Sequence, residues 1–317
     1  MRPLTNTRPK PLLPIMNHAM IDHIVLWLPE DVDRVVLAVN YMADTIRHHL
    51  GDVDLGVEVV VVEEDEPLGT GGAFKNSVGE VTTDTFIGLN GDIISSLDMT
   101  EMVAQQKRLG GIGTIALWEV EDPSRYGVVE LDDDDRIRSF VEKPPPGEAP
   151  SNLINAGAYV LSTEILDLVE PGVKTSIERE IYPRVLDRGL YGHRFSGFWV
   201  DAGTPEAYLE SHRQLLDRVP STEPDDANIH STARVMPHTL LGEDVTLGAG
   251  VEIGPYVVLG DGVRIAQNAR LRNCVLLPGV RVGAGADLSD CILGEGAEVA
   301  AGEALDGVVL EDGRTPQ

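Results

Sequence analysis

Two aspartates stand where an apolar run stops. Asp92 closes Leu89-Asn90-Gly91-Asp92, and Asp201 closes Phe198-Trp199-Val200-Asp201 ahead of Ala202-Gly203-Thr204. Singly, an Asp after a strand is a turn or cap residue. As a pair at strand ends, Asp92 and Asp201 can share one Mg2+, whose preference for hard oxygen donors suits carboxylates together with phosphate oxygens. Lysine occurs only at positions 10, 75, 107, 143 and 174, so each one invites a question. Lys10 lies in Arg8-Pro9-Lys10-Pro11-Leu12-Leu13-Pro14-Ile15, rigid through its prolines and positive enough for a polyanion, or else an ordinary basic tail. In Val141-Glu142-Lys143-Pro144, Lys143 can bind a phosphate and Glu142 can accept from sugar hydroxyls, while Asn155 and Gly157 of Asn155-Ala156-Gly157-Ala158 can hold a ring. Pro67-Leu68-Gly69-Thr70-Gly71-Gly72-Ala73 is a glycine-rich turn whose amides can approach a base or a phosphate, or a plain helix entry.

Such groups need a frame. From about residue 20 to 215, short β-branched runs alternate with amphipathic segments. Residues 35–39, 57–62 and 85–89 read as buried parallel strands, and 42–50 and 99–109 as crossover helices. That alternation predicts an α/β layered, Rossmann-like domain with a mixed, mostly parallel sheet and ligands at the carboxyl ends of its strands. Residues 127–131 and 136–141 flank Asp132-Asp133-Asp134-Asp135 and read as a hairpin whose acidic run is a solvated turn.

Residues 219–226 are a polar, proline-bearing linker, and the period changes after it. Ile229, Val235, Leu241, Leu247, Ile253, Leu259, Ile265, Leu271 and Leu277 recur every six residues, and Gly242, Gly248, Gly254 and Gly260 each follow one of them. A six-residue period fits neither a helix nor an alternating strand; it is the signature of a parallel β-helix, expected here to be left-handed, with aliphatic side chains inward and glycines at corners. The period then slips by one, so that Asn273-Cys274-Val275-Leu276 resembles Asp290-Cys291-Ile292-Leu293 and the two cysteines stack as small buried apolar groups. The expected domains are 1–217, a linker at 218–227, the β-helix at 228–311 and a tail at 312–317.

The formal net charge is -27, with 52 acidic against 25 basic Lys and Arg residues. A field of that sign repels nucleic acid and anionic lipid, so neither is an expected partner. The acids are spread along the chain, as in an acidic coat suited to a high-salt cytoplasm. No run of apolar residues is long enough to span a membrane. Two cysteines are too few for a disulfide scaffold, which makes the reducing cytoplasm the default compartment.

Taken together, RPLT with PKPLLPI, LGTGGA, LNGD, VEKP, NAG and WVDAG resemble the sugar-1-phosphate nucleotidyltransferase family, in that family's order, over residues 1 to about 215. Residues 36–41, 66–70, 123–129 and 175–181 are similar to its mannose-1-phosphate guanylyltransferase branch; the uridylyl and thymidylyl branches share much of this. The resemblance implies a GT-A-like fold and in-line attack of a sugar 1-phosphate on the α-phosphate of a nucleoside triphosphate, GTP in that branch, with pyrophosphate leaving. It further implies Mg2+ on Asp92 and Asp201, and a triphosphate or attacking phosphate on Lys10. Leu68, Gly69, Thr70, Gly71, Gly91 and Asp92 would contact the nucleotide, and Gly127, Glu142, Lys143, Asn155, Gly157 and Glu178 the sugar phosphate.

Relatives carry a leading strand and a GGxGTRxRP loop, of which only the last Arg-Pro is present here, as Arg2-Pro3. An upstream start is the expectation, and a silent nucleotide-sugar-binding regulatory subunit is the alternative from another class. A third reading makes the β-helix an acyltransferase with His230 or His238 as base. Homo-oligomerisation through flat β-helix faces, or regulation, is the preferred role.

Overall fold

The computed structural model describes residues 1–220 and 227–316, so the linker expected at 218–227 and the tail at 312–317 lie partly outside the described residues. The chain forms two compact units. One comprises residues 24–199; the other joins residues 1–23 to 200–317.

In the unit of residues 24–199, the expected strands and helices form. Arg34–Val39 pairs in parallel with Glu58–Glu63, and the helix Ala43–Asp52 makes the crossover between them. A second, mixed sheet is centred on the long strand Leu153–Ser162, with Gly113–Glu119 on one edge and Thr85–Leu89 and Gly127–Leu131 on the other. Leu190–Arg194 adds in parallel to Gly113–Glu119. All pairings of Leu153–Ser162 are antiparallel, because the chain re-enters the sheet there from a hairpin rather than through a crossover helix. Thr85–Leu89 is therefore antiparallel to its partner rather than parallel as expected.

The strands Arg34–Val39 and Glu58–Glu63 are half-buried along most of their length, where full burial was expected. A fully buried core lies instead against the mixed sheet, where Ile115, Tyr159, Leu161, Ile165, Ile177 and Tyr182 are closed to solvent. Met99–Leu109 is the expected helix. Its N-terminus is capped by the Asp98 carboxylate, which accepts from Glu101 N at 3.0 Å, and it closes at Gly110. The acidic hairpin turn is held by Asp132 Oδ1, which accepts from the amides of Asp134 (3.0 Å) and Arg136 (2.9 Å). That is an Asx-type turn and needs no metal.

The second unit is a parallel β-solenoid of five coils with three five-stranded faces. Ile229 stacks on Leu247 and Leu247 on Ile265, eighteen residues apart; Ile265 then stacks on Val282 and Val282 on Val299, seventeen apart. The slip read from sequence is thus a shortening of each later coil from eighteen residues to seventeen. Cys274 and Cys291 are buried, free and on neighbouring coils, where burial pushes the Cys274 thiol up.

Corners turn on left-handed residues that follow the expected glycines. Asp244, Gly262, Gly279, Gly296 and Gly313 form one ladder, and His238, Tyr256, Asn273, Asp290 and Gly307 another. Gly248 and Gly260 serve a different need: a Cβ on either would fall 2.7 Å from a backbone nitrogen of the next coil. The interior is aliphatic but for Cys274 and Cys291, from Leu241 to Leu310. No helix among the described residues is long and apolar enough to cross a membrane.

Candidate active site

The glycine turn at residues 68–71 is built against the segment that follows Val173. Gly69 has φ +71°, and a Cβ there would meet the Thr175 carbonyl oxygen at 2.8 Å. That oxygen accepts from the amides of Gly71 (3.0 Å) and Gly72 (3.3 Å), while Thr175 N donates to Leu68 O at 2.8 Å. The glycines therefore let two backbones touch, and the amides of Gly71 and Gly72 are already bonded within the protein. Thr70 extends the junction: its hydroxyl donates to Glu178 Oε2 at 2.6 Å and accepts from Ile177 N at 3.2 Å. Ser176 Oγ donates to the same carboxylate oxygen at 2.7 Å. Glu178 lies in a single π-helical turn, Ile177–Ile181, a geometry that recurs at functional sites.

The Asn155-Ala156-Gly157 segment is a β-bulge. Asn155 pairs with Leu117 and Tyr159 with Ile115, so three residues between these pairs, 156–158, face one, Ala116, on the other strand. At the bulge Gly157 takes φ +76°, its amide donates to Asn155 Oδ1 at 3.0 Å, and its carbonyl accepts from Asn90 N at 2.8 Å. This last bond fastens the turn Asn90-Gly91-Asp92 to the bulge. Nothing lies within 4 Å of where a Cβ on Gly91 would be, so the turn opens onto free space. Asn155 Nδ2 donates to the Tyr159 hydroxyl at 2.9 Å. Burial, aided by Glu178, Glu142 and Asp92, pushes the Tyr159 phenol far above its ordinary range, so it stays neutral. Four separate sequence segments therefore act on one phenol, one through a hydrogen bond and three through charge.

Gly127 and Glu142 are cross-strand partners, and a Cβ on Gly127 would meet Glu142 Oε2 at 2.8 Å. Burial, then the neighbouring Glu178 charge, raises the Glu142 pKa, with Lys143 and Arg179 opposing. Lys143 has φ +51°, and its amide donates to Tyr126 O at 2.9 Å. Its ammonium is exposed, 4.0 Å from Glu142. Tyr126 packs edge-on against Trp199, whose indole donates to Ala156 O at 2.9 Å. The result is a polar cluster of carboxylate, amide and ammonium groups backed by aromatic rings, suited to a hydroxylated ring bearing an anion.

Lys10 and Asp201 belong to the other unit, where the structure brings them together beside Gly203. A Cβ at Gly203 would lie 2.9 Å from Asp201 Oδ1 and 3.8 Å from Lys10 Nζ. Tyr159 had no sequence signal of its own, and Thr175, inside the likeness at 175–181, shows its part only once it is paired with residues 68–72. Glu64, a buried carboxylate whose Oε2 accepts from Leu68 N at 3.2 Å, follows a valine run like any strand-end acid. The histidines proposed for acyl transfer have other partners: His238 Nδ1 lies 3.2 Å from Leu216 O and its ring stacks on Tyr256, and His230 bonds Thr232.

A mixed sheet whose bulge, glycine turn and hairpin converge on a carboxylate cluster defines a class, and comparison with known proteins gives the same one. Residues 1–218 match the family described as Nucleotidyl transferase, and residues 236–312 match the GMPPB C-terminal domain. The chain belongs to the nucleotidyl transferase family. It is 38% identical to "Probable mannose-1-phosphate guanylyltransferase 1" of Oryza sativa subsp. japonica, over 87% of this chain and 78% of that protein. It is 32% identical to the mannose-1-phosphate guanylyltransferase of Mycobacterium tuberculosis, over 84% of this chain and 77% of the relative. Among solved structures, HddC from Yersinia pseudotuberculosis is similar with a TM-score of 0.57 and 30% identity, covering 65% of this chain and 90% of its own. HddC complexed with GMP-PN is similar at a TM-score of 0.56 and 28% identity, covering 68% and 93%.

Proposed function

We propose that the protein is a sugar-1-phosphate nucleotidyltransferase that joins GTP and mannose 1-phosphate into GDP-mannose and releases pyrophosphate. The observation that carries this reading is the Thr70–Glu178 junction, which fastens a glycine turn to a carboxylate cluster in one unit. Similarity to mannose-1-phosphate guanylyltransferases, and to a structure complexed with GMP-PN, supports guanine and mannose.

The reaction is a displacement at phosphorus, governed by positioning and charge neutralisation. Glu142, Glu178 and Asn155 orient the sugar through its hydroxyls, and the exposed Lys143 ammonium meets its phosphate. Residues 68–71 and Gly91 shape the nucleotide side. Lys10 supplies a cation for the phosphates, in a chain with few lysines to offer. Asp92 and Asp201 are hard oxygen donors at strand ends, the donor type Mg2+ prefers, and they are the residues proposed to hold it. A bound Mg2+ would neutralise charge on the α-phosphate. Nucleoside triphosphate supply makes the cytoplasm the proposed compartment, and the outer faces of the β-helix are the proposed surfaces for homo-oligomers, testable by light scattering.

The test is pyrophosphate release with Mg2+ across GTP, UTP, dTTP, ATP and CTP, each paired with mannose, glucose and N-acetylglucosamine 1-phosphates. GTP with mannose 1-phosphate should be the fastest pair, and Asp92→Asn or Asp201→Asn should lower kcat by about a hundredfold or more while thermal unfolding stays unchanged. Preference for UTP or dTTP would reject the guanylyl reading. Full activity in either Asn variant would reject the metal reading.

A further inference from the structure

We propose that the last coils of the β-helix are a positioning device for the lysine-bearing loop: Glu295, Glu311 and Asp312 clasp residues 6–8 and so hold Lys10 beside Asp201. The proposal rests on the reading of Lys10 as a phosphate-binding residue. Three successive side chains of the loop are engaged. Asn6 Nδ2 donates to Glu311 Oε1 at 3.0 Å, Thr7 Oγ1 donates to Asp312 Oδ2 at 2.6 Å, and the Arg8 guanidinium pairs with Glu295. The Asp312 carboxylate does two jobs. Its Oδ1 accepts from Glu295 N at 2.8 Å, tying the fourth coil to the fifth, while its Oδ2 takes the loop hydroxyl.

The coil-tying bond is a recurrent solenoid device, since Asp261 Oδ1 accepts from Glu243 N at 2.8 Å in the same way near the other end. The bond to Thr7 is an addition to that device, and with the Asn6 and Arg8 contacts it makes a three-residue grip.

What the grip fixes is transmitted to Lys10 over a short, stiff path. Lys10 lies between Pro9 and Pro11, which restrict the backbone on both sides. Leu12 N donates to Pro9 O at 2.9 Å and Leu13 N to Lys10 O at 3.0 Å, closing a turn around the lysine. Leu13 and Ile15 are fully buried beyond it, and Asn17 Nδ2 donates to Leu259 O at 2.9 Å, on the second coil. The loop is thus held at both ends by β-helix residues, with Lys10 between. Because Glu295 is mostly exposed, the ion pair contributes little to global stability. Its loss should therefore appear in the placement of the loop and not in the unfolding temperature.

The experiment compares Thr7→Val, Thr7→Ser, Asp312→Ala and Glu295→Gln with the unsubstituted chain, by amide hydrogen exchange over residues 4–13, steady-state kinetics and thermal unfolding. Thr7→Val and Asp312→Ala should speed exchange at Leu12 and Leu13 at least tenfold and lower kcat about five- to fifty-fold, with KM for the sugar phosphate within twofold. Thr7→Ser should restore both. In a Lys10→Ala background, Asp312→Ala should add no further loss. Unchanged exchange in Thr7→Val and Asp312→Ala overturns the clasp whatever the activity. Faster exchange with unchanged kcat overturns its positioning role. If the unsubstituted chain transfers no nucleotide at all, the functional reading fails, and exchange alone still decides the clasp.

Discussion

Gly157 shows how much of this site rests on a single missing Cβ. Its φ of +76° disfavours any L side chain, and an added Cβ would lie 2.7 Å from Asn90 Nδ2 and 3.0 Å from Ile93. Gly157→Ala should cost about 1–3 kcal/mol through backbone strain alone. It should also displace Asn90-Gly91-Asp92, because the Asn90 amide bonds the Gly157 carbonyl. The expected outcome is a lower denaturant midpoint together with a loss of activity exceeding what the unfolded fraction explains. A normal kcat in the folded Gly157→Ala protein would mean that the bulge does not place Asp92. At this scale the sequence singled out candidates where residue type and motif coincide, as at Asp92, Glu142, Lys143 and Asn155. It marked Thr175 only as part of the likeness at 175–181 and not for its role: Thr175 acts through its backbone carbonyl, and no sequence pattern marks a carbonyl that accepts from Gly71 and Gly72. The amide-cradle expectation for the glycine turn met the same obstacle. Glycine signals close approach, but not whether a ligand or another strand is what approaches.

The helix Pro205–Leu216 carries the clearest pH dependence. His212 is 2% exposed; its Nδ1 accepts from Met16 N at 3.4 Å, and Tyr208 meets its ring edge-on. Burial, reinforced by the neighbouring His23, pushes its pKa down to about 3. A depressed histidine is neutral when folded, so its stabilising contribution is complete above the unfolded value near 6.5 and is lost as pH falls from there towards 3. Between pH 7 and 5 that loss is about 2 kcal/mol. Urea unfolding of the unsubstituted chain and of His212→Phe at the two pH values should show it: the variant should lose about 2 kcal/mol less on acidification. Equal losses would place the titration elsewhere. The elements themselves were legible because their periods differ, alternating runs for strands and a six-residue repeat for the solenoid. Their pairing was not. Thr85–Leu89 reads as a parallel strand by composition, yet its partner Leu153–Ser162 runs the other way. Of the glycines assigned to turning, Gly254 takes φ +99°, whereas Gly248 and Gly260 admit the next coil and Asp244, Tyr256 and Asn273 take the left-handed conformation.

At the scale of the molecule, charge dominates. With 52 acidic and 25 basic residues the formal net charge is -27, and no single run of acids accounts for it. Exposed pairs such as Arg34–Glu58 (2.9 Å) and Arg188–Glu164 (2.7 Å) offset only a little of the repulsion, because solvent screens both partners. Acids outnumber the available cations about two to one, so most carboxylates face a field of their own sign. Salt acts on both contributions in opposite directions. It weakens the pairs, which destabilises, and it shortens the reach of the net repulsion from about 10 Å at 0.1 M to about 3 Å at 1 M, which stabilises. The repulsion should win, because it involves many more charges at longer range. The unfolding temperature should therefore rise steadily as KCl increases from about 0.05 M to 1 M, the interval over which screening changes most. Tetramethylammonium chloride should reproduce the rise if screening is its cause. A rise confined to K+ would indicate bound cations instead, and a flat or falling curve would show that the exposed ion pairs outweigh the acidic coat.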